Sequence, residues 1–359
     1  MSRRILVLSP NWLGDAVMAL PAVWGVRRHY PEERLIVAAR PSIAPLFGMV
    51  AGVDQVLSLP AGRAWRPAQL RGESASIAAA GADLAILLTN SFHTAWVVRR
   101  AGVPERWGVR ADGRSVLLTR AVPRPRRRGG HHADYYRDLV AALGIEPSSD
   151  PPRVVPPDAA VSRAGEILQE YGAGAGTRLV GMAPGAAYGR AKQWPPRRFA
   201  ELARELRVRH GATSVLVGSR GDREAGDEIL RAIDALDERG KAEGGARDRG
   251  YVVDLIGRTE LPALVGLMTL FRAFVSNDSG AMHLAAAAGL PVAALFGATN
   301  ERATAPLPAP DATLPAHAIL TAPAWCRPCM LRECPIDHRC MTRIEAGRVA
   351  GAMETWFER

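Results

Sequence analysis

Short apolar runs, each broken by a polar turn and followed by a helix-period segment, recur along this chain and leave few folds open to it. The first run, Ile5 to Ser9, ends at Pro10 and Asn11 and leads into a helix predicted from Gly14 to His29. A second run, Arg34 to Ala39, follows it. Strand, helix and strand joined by short connections form the βαβ unit of a parallel sheet. The pattern continues with strands expected at Gln55–Ser58, Asp83–Leu88 and Arg106–Val109, and helices at Phe92–Arg100 and Ala133–Leu143. Glu146 to Val155, dense in Pro and Ser, is the best linker. The rhythm then restarts, with strands expected at Leu179–Ala183, Ser214–Gly218, Tyr251–Leu255, Ala273–Ser276 and Val292–Phe296. Helices are expected at Pro196–Arg209, Asp222–Leu236, Leu261–Leu270, Ser279–Gly289 and Arg343–Phe357, and a polar, mobile surface loop at Asp237–Gly250.

This pattern predicts an α/β chain of two doubly wound, Rossmann-like domains facing across a cleft, residues 1–155 and 156–340, with a C-terminal helix over 341–359. A length of 359 residues suits two domains better than one, and 48% hydrophobic residues give each a core. The formal charge of +10 favours anionic partners, or else, with an Arg- and Ala-rich composition, only reflects a GC-rich genome. No apolar stretch reaches the ~18 residues of a membrane span. Pro10, Asn11 and Asp15 interrupt the N-terminal apolar run too early for a signal peptide, so the chain is expected in the cytoplasm with its cysteines reduced unless they hold a metal.

Three loops carry candidate chemistry. After the first strand comes Asn11-Trp12-Leu13-Gly14-Asp15. Gly14 is expected to turn the backbone sharply. Asp15 then sits at the carboxyl edge of the sheet, either as a reactive carboxylate or as an acid satisfying a helix N-terminus. The second loop, Ala183 to Pro195, opens the second half. Its small residues allow close backbone approach to a ligand, and Lys192 is either a point charge for phosphates or a solvated lysine. The third, Ser276 to His283, runs from an apolar strand into an Ala-rich helix. Ser279 and Gly280 leave amides open at a helix N-terminus, a ready anion site. His283 lies one turn further on, and Asp278 can cap the helix or bind a sugar hydroxyl.

Other features are less directive. Cys326, Cys329, Cys334 and Cys340, with His338 among them, can hold zinc tetrahedrally or remain free thiols in an irregular loop. The basic run Arg124 to Arg128, followed by His131 and His132, either meets lipid phosphates or acidic sugars or is a solvated loop. The chain lacks the Gly-rich dinucleotide fingerprint, which argues against a nicotinamide enzyme. It also lacks the interleaved aromatics or recognition helix of a nucleic-acid binder.

The segments ILVLSPNWLGDAVMALPA, PGAAYGRAKQWP with FAELA, VGSRGDREAG, VSNDSGAMHLAAAAGLPVAALFG and CRPCMLRECPIDHRCM together resemble the heptosyltransferases, glycosyltransferase family 9, over nearly the whole chain. The resemblance implies a GT-B fold and inverting transfer of L-glycero-D-manno-heptose from ADP-heptose to the heptose of the lipopolysaccharide inner core (Kdo/heptose-lipid A). No cofactor is required, and zinc at the cysteines is left open. Under the resemblance the first domain binds the acceptor and the second binds ADP-heptose. Asp15 matches the general base, and Gly14, Lys192, Asp222, Asp278, Ser279, Gly280 and His283 match donor-binding positions. Lys192 falls near the diphosphate and Asp222 near the adenosine ribose. Ala186 and Ala187 stand where some relatives carry hydroxyls. Another core, capsule or O-antigen acceptor is the alternative. Peripheral contact with the cytoplasmic face of the inner membrane would suit the positive charge.

Overall fold

The computed structural model describes residues 3–62, 65–125, 129–174, 176–242 (backbone only for 239–242), 250–308 and 317–358. The chain divides into two compact units, Met1–Val155 and Pro156–Arg359.

In the first unit the elements run β1 (Arg4–Leu8), α1 (Leu13–Met18), α2 (Leu20–His29), β2 (Arg34–Ala39), α3 (Ala44–Phe47), β3 (Gln55–Ser58), α4 (Pro67–Ala80), β4 (Leu84–Leu87), α5 (Phe92–Arg100), β5 (Glu105–Val109), β6 (Arg120–Val122) and α6 (His132–Ala142). The strands form one parallel six-stranded sheet in the order β3-β2-β1-β4-β5-β6. Central β1 is paired on both sides, with Val7 beside Val37 and Ile86. Its residues Ile5 to Leu8 are buried, as expected of a strand whose sheet is covered on both faces.

The second unit begins with α7 (Asp158–Glu170) and continues β7 (Leu179–Ala183), α8 (Pro196–His210), β8 (Thr213–Leu216), α9 (Arg223–Ala242), β9 (Val252–Asp254), α10 (Leu261–Leu270), β10 (Ala273–Asn277), α11 (Gly280–Ala287), β11 (Val292–Phe296), α12 (Glu301–Thr304), β12 (Ala318–Thr321), α13 (Arg339–Thr342) and α14 (Ala346–Met353). Its six-stranded parallel sheet has the order β12-β11-β10-β7-β8-β9, the same winding as the first. The core gathers Val180, Met182, Trp194, Phe199 and Val275; α14 adds Val349 and Met353, and the 3-10 turn after it adds Trp356. α14 thus packs as part of this unit.

Several boundaries differ from expectation for identifiable reasons. The helix predicted from Gly14 to His29 is two helices, because Pro21 lacks the amide a continuous ladder needs and sits instead in the first turn of α2. Gly14 lies inside the first turn of α1 and is not among the positive-φ glycines, so the chain turns before it, at Asn11 and Trp12. α9 runs on to Ala242, which claims residues 237–242 of the loop expected at Asp237–Gly250; residues 243–249 lie outside the described residues. Residues 126–128 of the basic run do so too. The last helix is shorter than predicted, Ala346–Met353.

The segment expected as a linker belongs to the first unit, where its start is laid against α2. Ser148 N–H donates to Pro21 O at 2.9 Å, and Arg28 Nη2 donates to Pro147 O at 2.9 Å. Gly25 makes this approach feasible: a Cβ there would stand 2.6 Å from Glu146 O.

Candidate functional site

In an open doubly wound sheet, ligands bind beyond the carboxyl ends of the strands where the strand order reverses. In the second unit that point lies between β7 and β10. The loops leaving these two strands are joined by Asn277, which is fully buried. Its Oδ1 accepts the Trp194 N–H at 2.9 Å, and its Nδ2 donates to Pro184 O at 2.7 Å. A strand-end side chain therefore fixes where the Ala183–Pro195 loop passes.

That loop carries Lys192 onto Asp278. Lys192 Nζ lies 2.6 Å from Asp278 Oδ2, with the two side chains 14% and 5% exposed. Thr299 Oγ1 donates to the same carboxylate oxygen at 2.7 Å. The sequence left Asp278 as a helix cap or a sugar ligand. In the structure it is the partner of Lys192, while Ser279 occupies the N-cap of α11 without a side-chain cap bond. Ser279 Oγ instead lies 3.1 Å from Ser276 Oγ. The first-turn amides of α11, beginning at Gly280, therefore have no side-chain cap, and His283 is buried one turn on. Lys192, Asp278, Ser279, Gly280 and His283 come together at this strand edge.

Asp222 stands nearby at the start of α9. Its Oδ2 accepts from Ser219 N–H at 2.8 Å and from Ser219 Oγ at 2.7 Å, closing a capping box. Its Oδ1 lies where a Cβ on Gly185 would come within 2.0 Å, so only glycine lets the β7 loop pass this carboxylate. Asp222 also lines a cavity of about 390 Å³ with Pro184, Arg190, Gln193, Trp194 and His338.

The cysteine-bearing segment is strapped over the Lys192 loop. Ala191 N–H donates to Arg332 O at 2.9 Å, Tyr188 Oη donates to Met330 O at 2.8 Å, and His338 Nε2 donates to Ala191 O at 2.9 Å. Tyr188 also lies between two cations, Lys192 Nζ at 4.9 Å and Arg332 Cζ at 5.3 Å from its ring centroid. Cys326, Cys329, Cys334 and Cys340 are free thiols, and among the described residues no group of three or more His, Cys, Asp or Glu side chains is arranged to hold a metal. The strap draws Cys340 into the core, where burial and then the neighbouring thiols push its pKa up, and commits the imidazole of His338 to a carbonyl.

In the first unit the strand order reverses between β1 and β4. Asp15 lies in the first turn of α1 beyond β1, with Oδ1 3.5 Å from His132 Nδ1 at the start of α6. The His132 ring stacks on Tyr136 at 5.6 Å. Tyr135 Oη, from the same turn, donates to Asn90 Oδ1 beyond β4 at 2.7 Å. Asp15 is thus backed by a polar, aromatic cluster that the sequence reading missed, because His132 was taken with the basic run before it. Its signal was available: a histidine at the N-terminus of a helix with tyrosines three and four residues on. Gly14 belongs to this unit, and the other residues with which it was grouped belong to the second.

The family model for glycosyltransferase family 9 (heptosyltransferase) matches residues 74–339. The chain is 31% identical over 309 residues to lipopolysaccharide heptosyltransferase 2 of Escherichia coli and to that of Salmonella typhimurium, covering 85% of this chain and of each relative. It also resembles the solved structure of E. coli ADP-heptose lipopolysaccharide heptosyltransferase II, with a TM-score of 0.79 at 27% identity, over 99% of this chain and 98% of that one.

Proposed function

The chain belongs to glycosyltransferase family 9, the heptosyltransferases, and from that premise we propose that it moves a heptose from ADP-heptose onto the heptose of the lipopolysaccharide inner core with inversion at the anomeric carbon. The observation that carries the reading is the meeting of Lys192, Asp278 and the open amides of α11 at the reversal point of the second sheet. A helix N-terminus and an adjacent ammonium match a diphosphate.

The donor binds the second unit. Lys192 and the α11 amides stabilise the charge that develops on ADP as it leaves, because preorganised donors cost little reorganisation at the moment of reaction. Asp222 at the neighbouring cavity takes the ribose side. The acceptor binds the first unit. Asp15 takes the proton from the acceptor hydroxyl as its oxygen attacks the anomeric carbon from the face opposite ADP; the C–O bond to the diphosphate breaks and ADP departs. Asp15 needs correct placement more than a raised pKa, and the neighbouring His132 contributes to that placement.

Among the described residues no helix is long and apolar enough to cross a membrane. We place the enzyme on the cytoplasmic face of the inner membrane, held by its positive charge against anionic lipid. Sedimentation with anionic vesicles at low salt, lost at high salt, is expected; binding indifferent to lipid charge refutes it. The reaction is tested by incubating the protein with ADP-heptose and lipopolysaccharide truncated before the second heptose. A mass gain of one heptosyl unit is expected. An unchanged acceptor, or transfer only from a different nucleotide sugar, overturns the assignment.

A further inference from the structure

The strap that holds the Lys192 loop also faces solvent. Between β12 and α13 it contains no helix or strand, yet its backbone is tied to the second unit. Met330 N–H donates to Ala298 O at 2.9 Å, and Met330 O accepts from Tyr188 Oη at 2.8 Å. Arg327 Nε donates to Gly297 O at 2.8 Å, and its Nη2 pairs with Glu301 at 2.6 Å. A segment fixed in this way presents four large apolar side chains to water: Trp325 is 76% exposed, Met330 53%, Leu331 45% and Ile336 51%. Single apolar side chains are ordinary on a surface, but four within twelve residues make a patch. Arginines rim it. Arg343 Nη1 donates to Pro323 O at 3.4 Å and Arg348 Nη1 to Thr321 O at 2.6 Å, which places both guanidinium groups beside the chain that leads into Trp325. Arg332 follows Leu331 and lies over the Tyr188 ring. These three spend their donors on carbonyls and a ring, so their charge stands uncancelled. Among the acids of the same stretch, Glu333, Asp337 and Glu345, Asp337 is already taken by Arg339 at 2.9 Å.

This mixture selects its partner. The centre of a protein–protein interface gathers aromatic and apolar groups and excludes charge. Nucleic acid would bond the arginines and leave Met330, Leu331 and Ile336 in water. Here apolar and cationic side chains alternate along one segment. An anionic bilayer surface takes both kinds at once: an indole and aliphatic side chains enter the boundary between headgroups and acyl chains, and guanidinium groups meet the phosphates just above. The inner side of the same segment holds Ala191 by both of its backbone groups. Seating the outer side on lipid therefore fixes the Lys192 loop relative to the membrane.

We propose that this strap is a membrane-docking face, in which Trp325, Met330, Leu331 and Ile336 enter an anionic bilayer surface and Arg332, Arg343 and Arg348 bind its headgroup phosphates. The inference rests on the peripheral placement proposed above, and it names the surface and adds apolar insertion to charge. It is tested by sedimentation of the whole chain with phosphatidylethanolamine–phosphatidylglycerol vesicles, with phosphatidylcholine vesicles as the neutral control. Trp325→Ala and Leu331→Ser are each expected to weaken binding to the anionic vesicles about tenfold, as for an apolar side chain returned to water. Arg343→Gln is expected to weaken it about fivefold. The melting temperature and the affinity for ADP-heptose should stay at wild-type values. Lipids brominated near the top of the acyl chain should quench wild-type tryptophan fluorescence, and Trp325→Phe should remove that quenching; this conservative pair decides the matter even if Trp325→Ala proves unstable. Wild-type binding that the variants leave unchanged, with quenching intact in Trp325→Phe, overturns this face and leaves the peripheral placement standing. A wild type that binds neither kind of vesicle overturns both. Self-association that rises with protein concentration and is lost in Trp325→Ala, without vesicle binding, gives the face to a second copy of the chain and overturns the proposal.

Discussion

Lys192 and Asp278, 86 residues apart in sequence, meet at 2.6 Å beyond the ends of two neighbouring strands. The aspartate is 5% exposed and has Thr299 as its other partner. An ammonium already neutralised by a buried carboxylate is held in place, and a diphosphate arriving at this edge adds to a formed pair. Lys192→Ala is expected to weaken ADP-heptose binding at least tenfold by calorimetry and, by stranding a buried carboxylate, to cost about 3 kcal/mol of stability. Unchanged donor affinity would remove Lys192 from the phosphate site.

Asp15→Asn keeps the size of the side chain and removes its basicity. Turnover is expected to fall about a hundredfold or more while ADP-heptose binding and the melting temperature hold. His132→Phe preserves the stack on Tyr136 and deletes the imidazole nitrogen facing Asp15, so it should lower kcat by less than Asp15→Asn does. Normal transfer by Asp15→Asn rules it out as the base.

Asn277→Ala tests the joint between the two loops. It leaves the Trp194 amide and the Pro184 carbonyl without their partner in a fully buried place. The expected loss is about 2 kcal/mol or more, seen as a melting temperature lower by roughly 4–8 °C. A melting temperature equal to wild type would mean that the loop is held by other contacts.

How far the sequence carried the reading depends on the range of each interaction. The strands flanking the reactive loops were plain because each is an apolar run ending in Gly, Asp, Asn or Pro, a signal written in consecutive residues. The short edge strands β6 and β12 were missed: Arg120–Val122 begins with a charge, and Ala318–Thr321 is only four residues long. α7 was missed because it follows the Pro-rich linker directly and its apolar residues are spaced by charged ones. Partnerships were harder still. Nothing local to Asp278 says that a lysine from another loop will take its carboxylate, and nothing local to Glu73 says that His93 will close on it. The spacing of the four cysteines left a metal site and free thiols both open, because nothing local to them says what the segment will be bonded to.

His317 supplies a pH dependence. Its Nδ1 accepts the Val292 N–H at 3.2 Å and its Nε2 donates to Leu307 O at 3.3 Å, an arrangement that requires the neutral ring. Burial holds its pKa below the usual histidine value, opposed in part by the Leu307 carbonyl. The unfolded chain therefore takes up this proton first as pH falls below about 6.5, and the histidine's contribution to stability declines from there toward its lower folded pKa. Thermal melts between pH 7 and pH 5 should show a loss that is shallower in His317→Gln. Parallel profiles for the two proteins would assign the pH dependence to other groups.

The strap over residues 188–192 has a consequence for how the molecule is made. Arg332 O and His338 Nε2 hold Ala191 from both of its backbone groups, yet they follow it by more than a hundred positions. During synthesis the opening strands of the second unit emerge early, while the bonds that set the lysine loop await Arg332 and His338. Translation must therefore pass residue 338 before this ammonium has its full scaffold, and a chain stalled before residue 332 carries every reactive side chain named here without the bonds that hold Ala191.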